Sequence, residues 1–293
     1  AGLSCAHRLA VLGTDVTIYD ARPKAGGLNE YGIAAYKSTN EFAAKEIDWL
    51  LSVGGITIEN NKALGQDINL DDLANDFDAV FLGVGLGGVN ALDIGNRDKS
   101  GVSDAVEFIE TLRQTPNLSS IPIGRNVVVV GGGMTAVDAA VQSKLLGSEQ
   151  VTIVYRRGRE SMSASRYEQD LAAKHGVKLM FNVQPKTIHG NGAVNMLVIE
   201  YTAQENGKLK PTGETLRVAA DQIFTAIGQT LETSGNLVLE GRKIAVNGVG
   251  RTSRDGVWAG GDCASSGDDL TVTAVAEGRD AAMDIHTTFT GGA

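Results

Sequence analysis

The stretch Asn126-Val127-Val128-Val129-Val130-Gly131-Gly132-Gly133-Met134-Thr135-Ala136-Val137-Asp138 decides the fold. A short β-branched apolar run breaks into three glycines and then into an apolar pattern of helical period that continues through Leu146. That is strand, glycine turn, helix. Gly147 ends the helix, and Val151-Thr152-Ile153-Val154-Tyr155 supplies the next strand, which closes a βαβ unit. Gly131, Gly133 and Ala136 fit the G-x-G-x-x-G/A spacing in the setting that gives it meaning. The first small residue permits a tight turn and the second lets backbone approach a pyrophosphate. The third lets helix and strand pack closely. A pyrophosphate placed there would sit on the positive end of the helix.

Working outward, the N-terminal segment superimposes on this unit. With Gly2 set on Ala136, Gly13 falls on Gly147, and Val16-Thr17-Ile18-Tyr19-Asp20 falls on Val151 to Tyr155 after a one-residue insertion. The same unit occurs twice. The alignment carries the expectation that a strand and two glycines of the first copy precede Ala1. The copies differ where their ligands would differ. Asp20 closes the second strand of the first copy, where an acid binds a ribose 2′-hydroxyl and repels a 2′-phosphate, which suits FAD or NAD. The second copy has Tyr155, then Arg156 and Arg157, whose guanidinium forks match a phosphate and favour NADPH. The competing reading of the two arginines is a solvated basic turn.

A length of 293 residues is that of two domains, each able to bury its own core. Charged residues are 21% and hydrophobic residues 42%, with 37 Gly and 5 Pro, which suits a globular α/β protein with many tight turns and excludes disorder and collagen. The formal charge of −9 and the absence of a Lys/Arg block argue against nucleic acid as a partner. No apolar run reaches the roughly 18 to 20 residues a bilayer requires, and nothing reads as a signal core, so the expectation is a cytoplasmic protein with no membrane contact. The cysteines are Cys5 and Cys263, which leaves no CxxC pair, no cluster site and no zinc site; both read as small packing residues. Redox chemistry on this chain therefore needs an organic cofactor. His7, His175, His189 and His286 show no ligand spacing.

Elsewhere, Gly26 and Gly27 can bring bare amides against a phosphate or flavin, although a Gly-Gly pair alone is equally a turn. Residues 41–53 read as an amphipathic helix with Phe42, Ile47, Leu50 and Leu51 mostly on one side, and Ile56-Thr57-Ile58 as a strand. The run 79–85 reads as a buried parallel strand ending at Gly83 and Gly85. Thr115 to Gly124, with Pro116 and Pro122, reads as the hinge between domains. Residues 177–182 and 193–201 read as strands, and Glu205-Asn206-Gly207-Lys208 as a hairpin turn. The strand 222–228 ends in Gly228 and either closes over the second dinucleotide or forms a structural turn. Finally, Val257 to Asp262 leads through glycines to an acid. A helix begins near residue 268, and Asp269 or Thr271 is a candidate cap. Its amide-rich end would stabilise electron density on a flavin pyrimidine ring, the alternative being a simple capped helix.

Asp20 with Gly26-Gly27-Leu28, Tyr31-Gly32-Ile33, the Gly131 to Asp138 stretch, Tyr155-Arg156-Arg157, Ala226-Ile227-Gly228 and Ala259-Gly260-Gly261-Asp262 together carry a family resemblance. The chain resembles the pyridine-nucleotide-oxidising flavoprotein module shared by the glutamate synthase small subunit and dihydropyrimidine dehydrogenase. Gly83-Val84-Gly85-Leu86, Met162 to Glu168 and Leu270-Thr271-Val272 look closest to the NAD(P)H-oxidising FAD subunit of bacterial dihydropyrimidine dehydrogenase. Two positions depart from the family: Ala34 stands where Pro usually follows Tyr-Gly-Ile, and Ser163 where some members place a phosphate-binding Arg.

The resemblance implies an α/β fold of two Rossmann-like nucleotide-binding domains. FAD would occupy residues 1–120 with 236–293, its first strand missing, and NAD(P)H the inserted residues 121–235. Gly2, Asp20, Gly26, Gly27, Leu28, Lys37, Gly261, Asp262 and Thr271 would contact FAD. Gly132, Gly133, Met134, Thr135, Arg156, Arg157, Ala226 and Gly228 would contact NADPH or NADH. Gly85, Gly131 and Val272 complete the candidate cofactor-binding set, and no side-chain acid or base is expected. Hydride would pass to FAD and electrons onward to iron–sulfur clusters outside this chain, on a partner domain or subunit. The final acceptor would be uracil or thymine on a pyrimidine-reducing subunit, or 2-oxoglutarate plus ammonia with a glutamate synthase large subunit. A nucleotide-binding fragment without catalysis is the alternative of another class. Disulfide reduction is disfavoured by the missing CxxC.

Overall fold

The structure is a computed structural model that describes residues 1–232 and 235–291. Residues 233, 234, 292 and 293 of the expected domain ranges lie outside the described residues. Packing divides the chain into two units, Ala1–Glu30 with Asn40–Gly88 and Gln229–Ala293, and Tyr31–Thr39 with Val89–Gly228.

The second unit is built on a five-stranded parallel sheet in the spatial order Val102–Asp104, Gln222–Ala226, Asn126–Gly131, Gln150–Tyr155, Val177–Phe181. Its central strand is buried on both faces, which is why Val127 to Val130 read as an unbroken apolar run rather than an alternation. Val127 and Val129 enter a core with Phe108, Ile109 and Leu112 of the helix Ala105–Gln114 and Val137, Ala140 and Val141 of the helix Met134–Leu145. Val128 and Val130 enter the opposite core, against Ile188, Leu197 and Ile199 of an antiparallel sheet formed by Val183–His189, Met196–Glu205 and Lys208–Ala219. The turn between the last two has Asn206 and Gly207 both at positive φ, 51° and 74°, the conformation a two-residue hairpin of this twist requires.

Several expectations change here, since residues 31–39 belong with the second unit and residues 229–232 with the first. Residues 89–120 belong with the second unit, because Val102–Asp104 pairs with Gln222–Ala226 and Phe108 stacks on Phe224 at 4.2 Å. Thr115 to Gly124 therefore lies inside that unit and is no hinge; its Ile121 is part of the core. The prolines mark a turn, and turn composition alone cannot tell a hinge from a packed loop.

The first unit pairs Val16–Asp20 with Ile56–Asn60 and Val80–Leu82 with Val257–Ala259, both in parallel. The helices Gly2–Val11 and Thr271–Thr290 share a core of Cys5, Leu9, Trp258, Ala281, Ala282 and Ile285. A Cβ at Gly278 would overlap the Ala1 carbonyl, so only glycine allows this approach. Both cysteines are buried, as packing residues should be, and burial pushes the Cys5 thiol up to about 12. The expected helix at 41–53 forms over Phe42–Leu51, with Phe42 outward at 59% exposure and Ala43 taking the buried place. No helix among the described residues is long and apolar enough to cross a membrane.

Candidate functional site

In the second unit the strand Asn126–Gly131 delivers its glycines directly into the helix Met134–Leu145. Gly131 has φ +154°, and a Cβ there would overlap the Ala226 carbonyl of the neighbouring strand. Ala226 is thus brought onto Gly131, while Gly228 follows close by and accepts from the Asn90 amide at 3.0 Å. Gly133 is the helix N-cap, and among the described residues no side chain caps it, which leaves the first turn at Met134 and Thr135 without a side-chain acceptor. Met134 is exposed although apolar. An anion is the natural partner of such a helix end.

Arg156 and Arg157 follow the next strand. Their backbone is held, the Arg156 carbonyl by the Thr202 hydroxyl at 2.7 Å and the Arg157 carbonyl by the Asn182 amide at 3.1 Å. Their side chains are exposed and make no ion pair among the described residues, whereas Arg125, Arg159 and Arg166 each do. Two exposed guanidinium groups thus stand on a backbone whose carbonyls are both held. Ser163 places its hydroxyl 3.4 Å from the Gly132 carbonyl, beside the same loop.

In the first unit, Gly2 opens the helix Gly2–Val11, again without a side-chain cap. A Cβ on Gly83 would come within 2.8 Å of the Gly2 nitrogen, and one on Gly261 within 3.0 Å of the Ala1 Cβ, so Gly2, Gly83 and Gly261 converge. Gly85, φ +64°, faces open space, and Asp262 follows Gly261 directly. Burial raises the Asp262 carboxyl and the negative charge of Asp269 adds to this, against Lys243. Asp20 ends the strand Val16–Asp20 and accepts from the Arg22 amide at 2.9 Å; burial raises its carboxyl, partly offset by that amide and the Arg22 charge. Gly26 and Gly27, both at positive φ, turn the chain into the short helix Leu28–Tyr31, and Leu28 is exposed.

Thr271 and Val272 begin the last helix, with Val272 73% exposed. The cap expected from Asp269 or Thr271 is absent: the N-cap is Leu270, Thr271 is the first helical residue, and Asp269 is drawn to Lys243. That helix too starts without a side-chain cap among the described residues. Lys37 departs furthest from its expected place. It lies in the second unit, with its ammonium 2.6 Å from Asp138 and 3.0 Å from Glu168. No group of His, Cys, Asp and Glu among the described residues could hold a metal ion.

Each unit thus sets glycine backbone at a helix start without a side-chain cap and has a following strand that ends at Asp20 or Tyr155. A family model described as pyridine nucleotide-disulphide oxidoreductase matches residues 1–278. The chain belongs to that family. Among pyridine nucleotide-disulphide oxidoreductase relatives, it is 36% identical over 315 residues to the small chain of the NADPH glutamate synthase of Escherichia coli strain K12, covering 97% of this chain and 66% of that one. It is 35% identical over 307 residues to the NADP(+)-dependent formate dehydrogenase subunit beta of Moorella thermoacetica, covering 97% and 42%. The chain therefore spans between 42% and 66% of the length of these two relatives. FprA of Mycobacterium tuberculosis, solved in complex with NADPH, shares the fold at a TM-score of 0.77 and 18% identity, over 99% of this chain and 82% of that one. The α/β fold of two nucleotide-binding units is that of FAD- and NAD(P)-binding oxidoreductases.

Proposed function

We propose that this chain is the electron-input part of a larger oxidoreductase, binding FAD in its first unit and NADPH in its second. When bound, FAD would accept hydride from the reduced nicotinamide and release electrons to iron–sulfur clusters outside this chain. The observation that carries the reading is the pair of differing selectors at equivalent strand ends, Asp20 in one copy and uncommitted Arg156 and Arg157 in the other. An acid excludes a 2′-phosphate and a pair of guanidinium groups attracts one.

The residues divide by task. The Gly131-Gly132-Gly133 loop and the amides of Met134 and Thr135 hold the NADPH pyrophosphate, Arg156 and Arg157 the 2′-phosphate, and Ala226 and Gly228 line the adjoining strand end. NADH would use the same loop without the arginines. In the first unit Gly2 and the Gly26, Gly27 and Leu28 turn take the FAD phosphates and Asp20 the adenosine ribose. Gly85, Gly261 and Asp262 flank the same end. The helix start at Thr271 and Val272, without a side-chain cap, would stabilise negative charge on a bound flavin ring. Leu270 and Val272, exposed apolar side chains at this helix start, fit a flat aromatic ligand that would cover them from water.

For the final acceptor, the stretches 83–86, 162–168 and 270–272 support a pyrimidine, uracil or thymine, reduced on a partner subunit. The 36% identity to a glutamate synthase small chain supports a second reading, in which the partner is the large subunit of that enzyme. Assay of the parent complex decides between them. NADPH oxidation stimulated by uracil or thymine supports the first and stimulation by 2-oxoglutarate with ammonia the second; stimulation by neither refutes both.

A further inference from the structure

Residues Tyr31–Thr39 leave the first unit's sequence and cross the second as a strap. Contacts with three helices hold it. The Ala35 amide donates to Gln142 Oε1 at 2.9 Å, Tyr36 Oη donates to Asp138 Oδ1 at 2.9 Å, and an Arg113 guanidinium nitrogen donates to the Ser38 carbonyl at 2.8 Å. At its centre the Lys37 ammonium joins Asp138, 2.6 Å away on the helix Met134–Leu145, to Glu168, 3.0 Å away on the helix Arg166–Lys174.

These two helices share a second feature, since both begin beside Gly132. The first starts at the residue after Gly133. The second is capped by Ser165, and the preceding Ala164 amide donates to the Gly132 carbonyl at 3.0 Å. Asp138 and Glu168 are only 5% and 7% exposed. Two buried carboxylates around one ammonium are tolerable, but without it they repel at close range with little water to screen them. We infer that Lys37 is a positioning residue for the nicotinamide-nucleotide loop, its charge clamping together the two helix starts that frame Gly132. The placement of the nucleotide in this loop rests on the proposed function; the clamp itself does not.

The charged and titratable groups around Lys37 are Tyr36 on the strap, Asp138, Glu168 and Tyr167 on the two helices, and Arg113 on the helix Ala105–Gln114. Burial opposes the Lys37 charge, but the hydrogen bonds and charges of Asp138 and Glu168 outweigh it and hold the ammonium above the usual lysine range. The clamp is thus closed throughout the neutral range.

The test compares the wild-type chain, Lys37→Met, Lys37→Arg and the double variant Lys37→Met with Glu168→Gln by hydrogen–deuterium exchange without nucleotide. Gln at position 168 keeps the capping box with Ser165 while removing one of the two like charges. Expected is at least about ten-fold faster exchange across 132–138 and 164–168 in Lys37→Met than in wild type at the same pH. Lys37→Arg and the double variant are expected near wild type. Equal exchange in Lys37→Met and wild type, or a double variant no better protected than Lys37→Met, overturns the inference. If Lys37→Met does not fold, recovery of folding in the double variant supports the clamp and failure of both refutes it. NADP+ affinity, measured in parallel, should follow the same order. A wild-type chain that binds no NADP+ refutes the nucleotide reading and leaves the exchange result to decide the clamp.

Discussion

Replacing Arg156 and Arg157 by Ala tests the nucleotide preference at its physical root. Both guanidinium groups are exposed and uncommitted, and their carbonyls are already held by Thr202 and Asn182, so a bound phosphate would find them with little loop ordering to do. A hydrogen bond to a charged partner contributes about 1.5–3 kcal/mol, and solvent screening at an exposed site lowers this to about 1–2 kcal/mol. Each arginine is then worth about 5- to 30-fold in NADPH affinity, and the pair on the order of 100-fold. NADH lacks the 2′-phosphate and should lose no more than about three-fold. Dissociation constants for both nucleotides, measured by titration calorimetry at two salt concentrations, supply the comparison. The wild-type preference for NADPH should also shrink as salt rises, and that salt dependence should vanish in the double variant. Equal losses for NADPH and NADH would refute the 2′-phosphate role and leave Arg156 and Arg157 as a solvated turn.

Other substitutions probe the frame around the two sites. Gly131→Ala sets a Cβ into the Ala226 carbonyl, so a loss of about 1–3 kcal/mol in urea unfolding is expected, together with loss of NADP+ binding. Gly278→Ala drives a Cβ into the Ala1 carbonyl and should separate the first and last helices, lowering the midpoint of Trp258 fluorescence by a comparable free energy. Asp284 accepts from Arg251 at 2.6 Å and from the Trp258 indole at 2.8 Å. Burial alone would raise its carboxyl, but these bonds outweigh burial and hold it below the usual range. An acid depressed on folding contributes stability above its unfolded pKa, roughly 4, and loses it as pH falls through the folded value. Asp284→Asn should therefore cost about 1–2 kcal/mol near neutral pH and flatten the stability curve below about pH 4, read by denaturant midpoints across pH.

The parts legible in the sequence were those set by local chemistry. A strand buried on both faces, a glycine turn and a helix follow one another at fixed spacing, so the βαβ unit at 126–155, the helix and strand of its copy at 2–20, the hairpin at Asn206-Gly207 and the strand ends at Asp20 and Tyr155 could be placed from the residues alone. What long-range packing decides stayed hidden. Tyr36 meets Asp138 across 102 positions and Lys37 meets Glu168 across 131, and no periodicity records such a pairing. The resemblance therefore set Lys37 among FAD residues, while the structure engages it with two acids of the other unit. The Pro-rich stretch 115–124 had hinge composition, yet its role depends on the distant strand Gln222–Ala226 pairing with Val102–Asp104. Asp269 had the right residue type for a cap, and Lys243 claims it instead.

Anaerobic titration of the purified chain, loaded with FAD, by NADPH measures whether the two sites work together as an electron input. A yellow protein is expected whose visible flavin absorbance bleaches stoichiometrically with NADPH, and far less readily once Arg156 and Arg157 are both Ala. A chain that takes up no flavin, or a bound flavin that stays oxidised under excess NADPH, would contradict it.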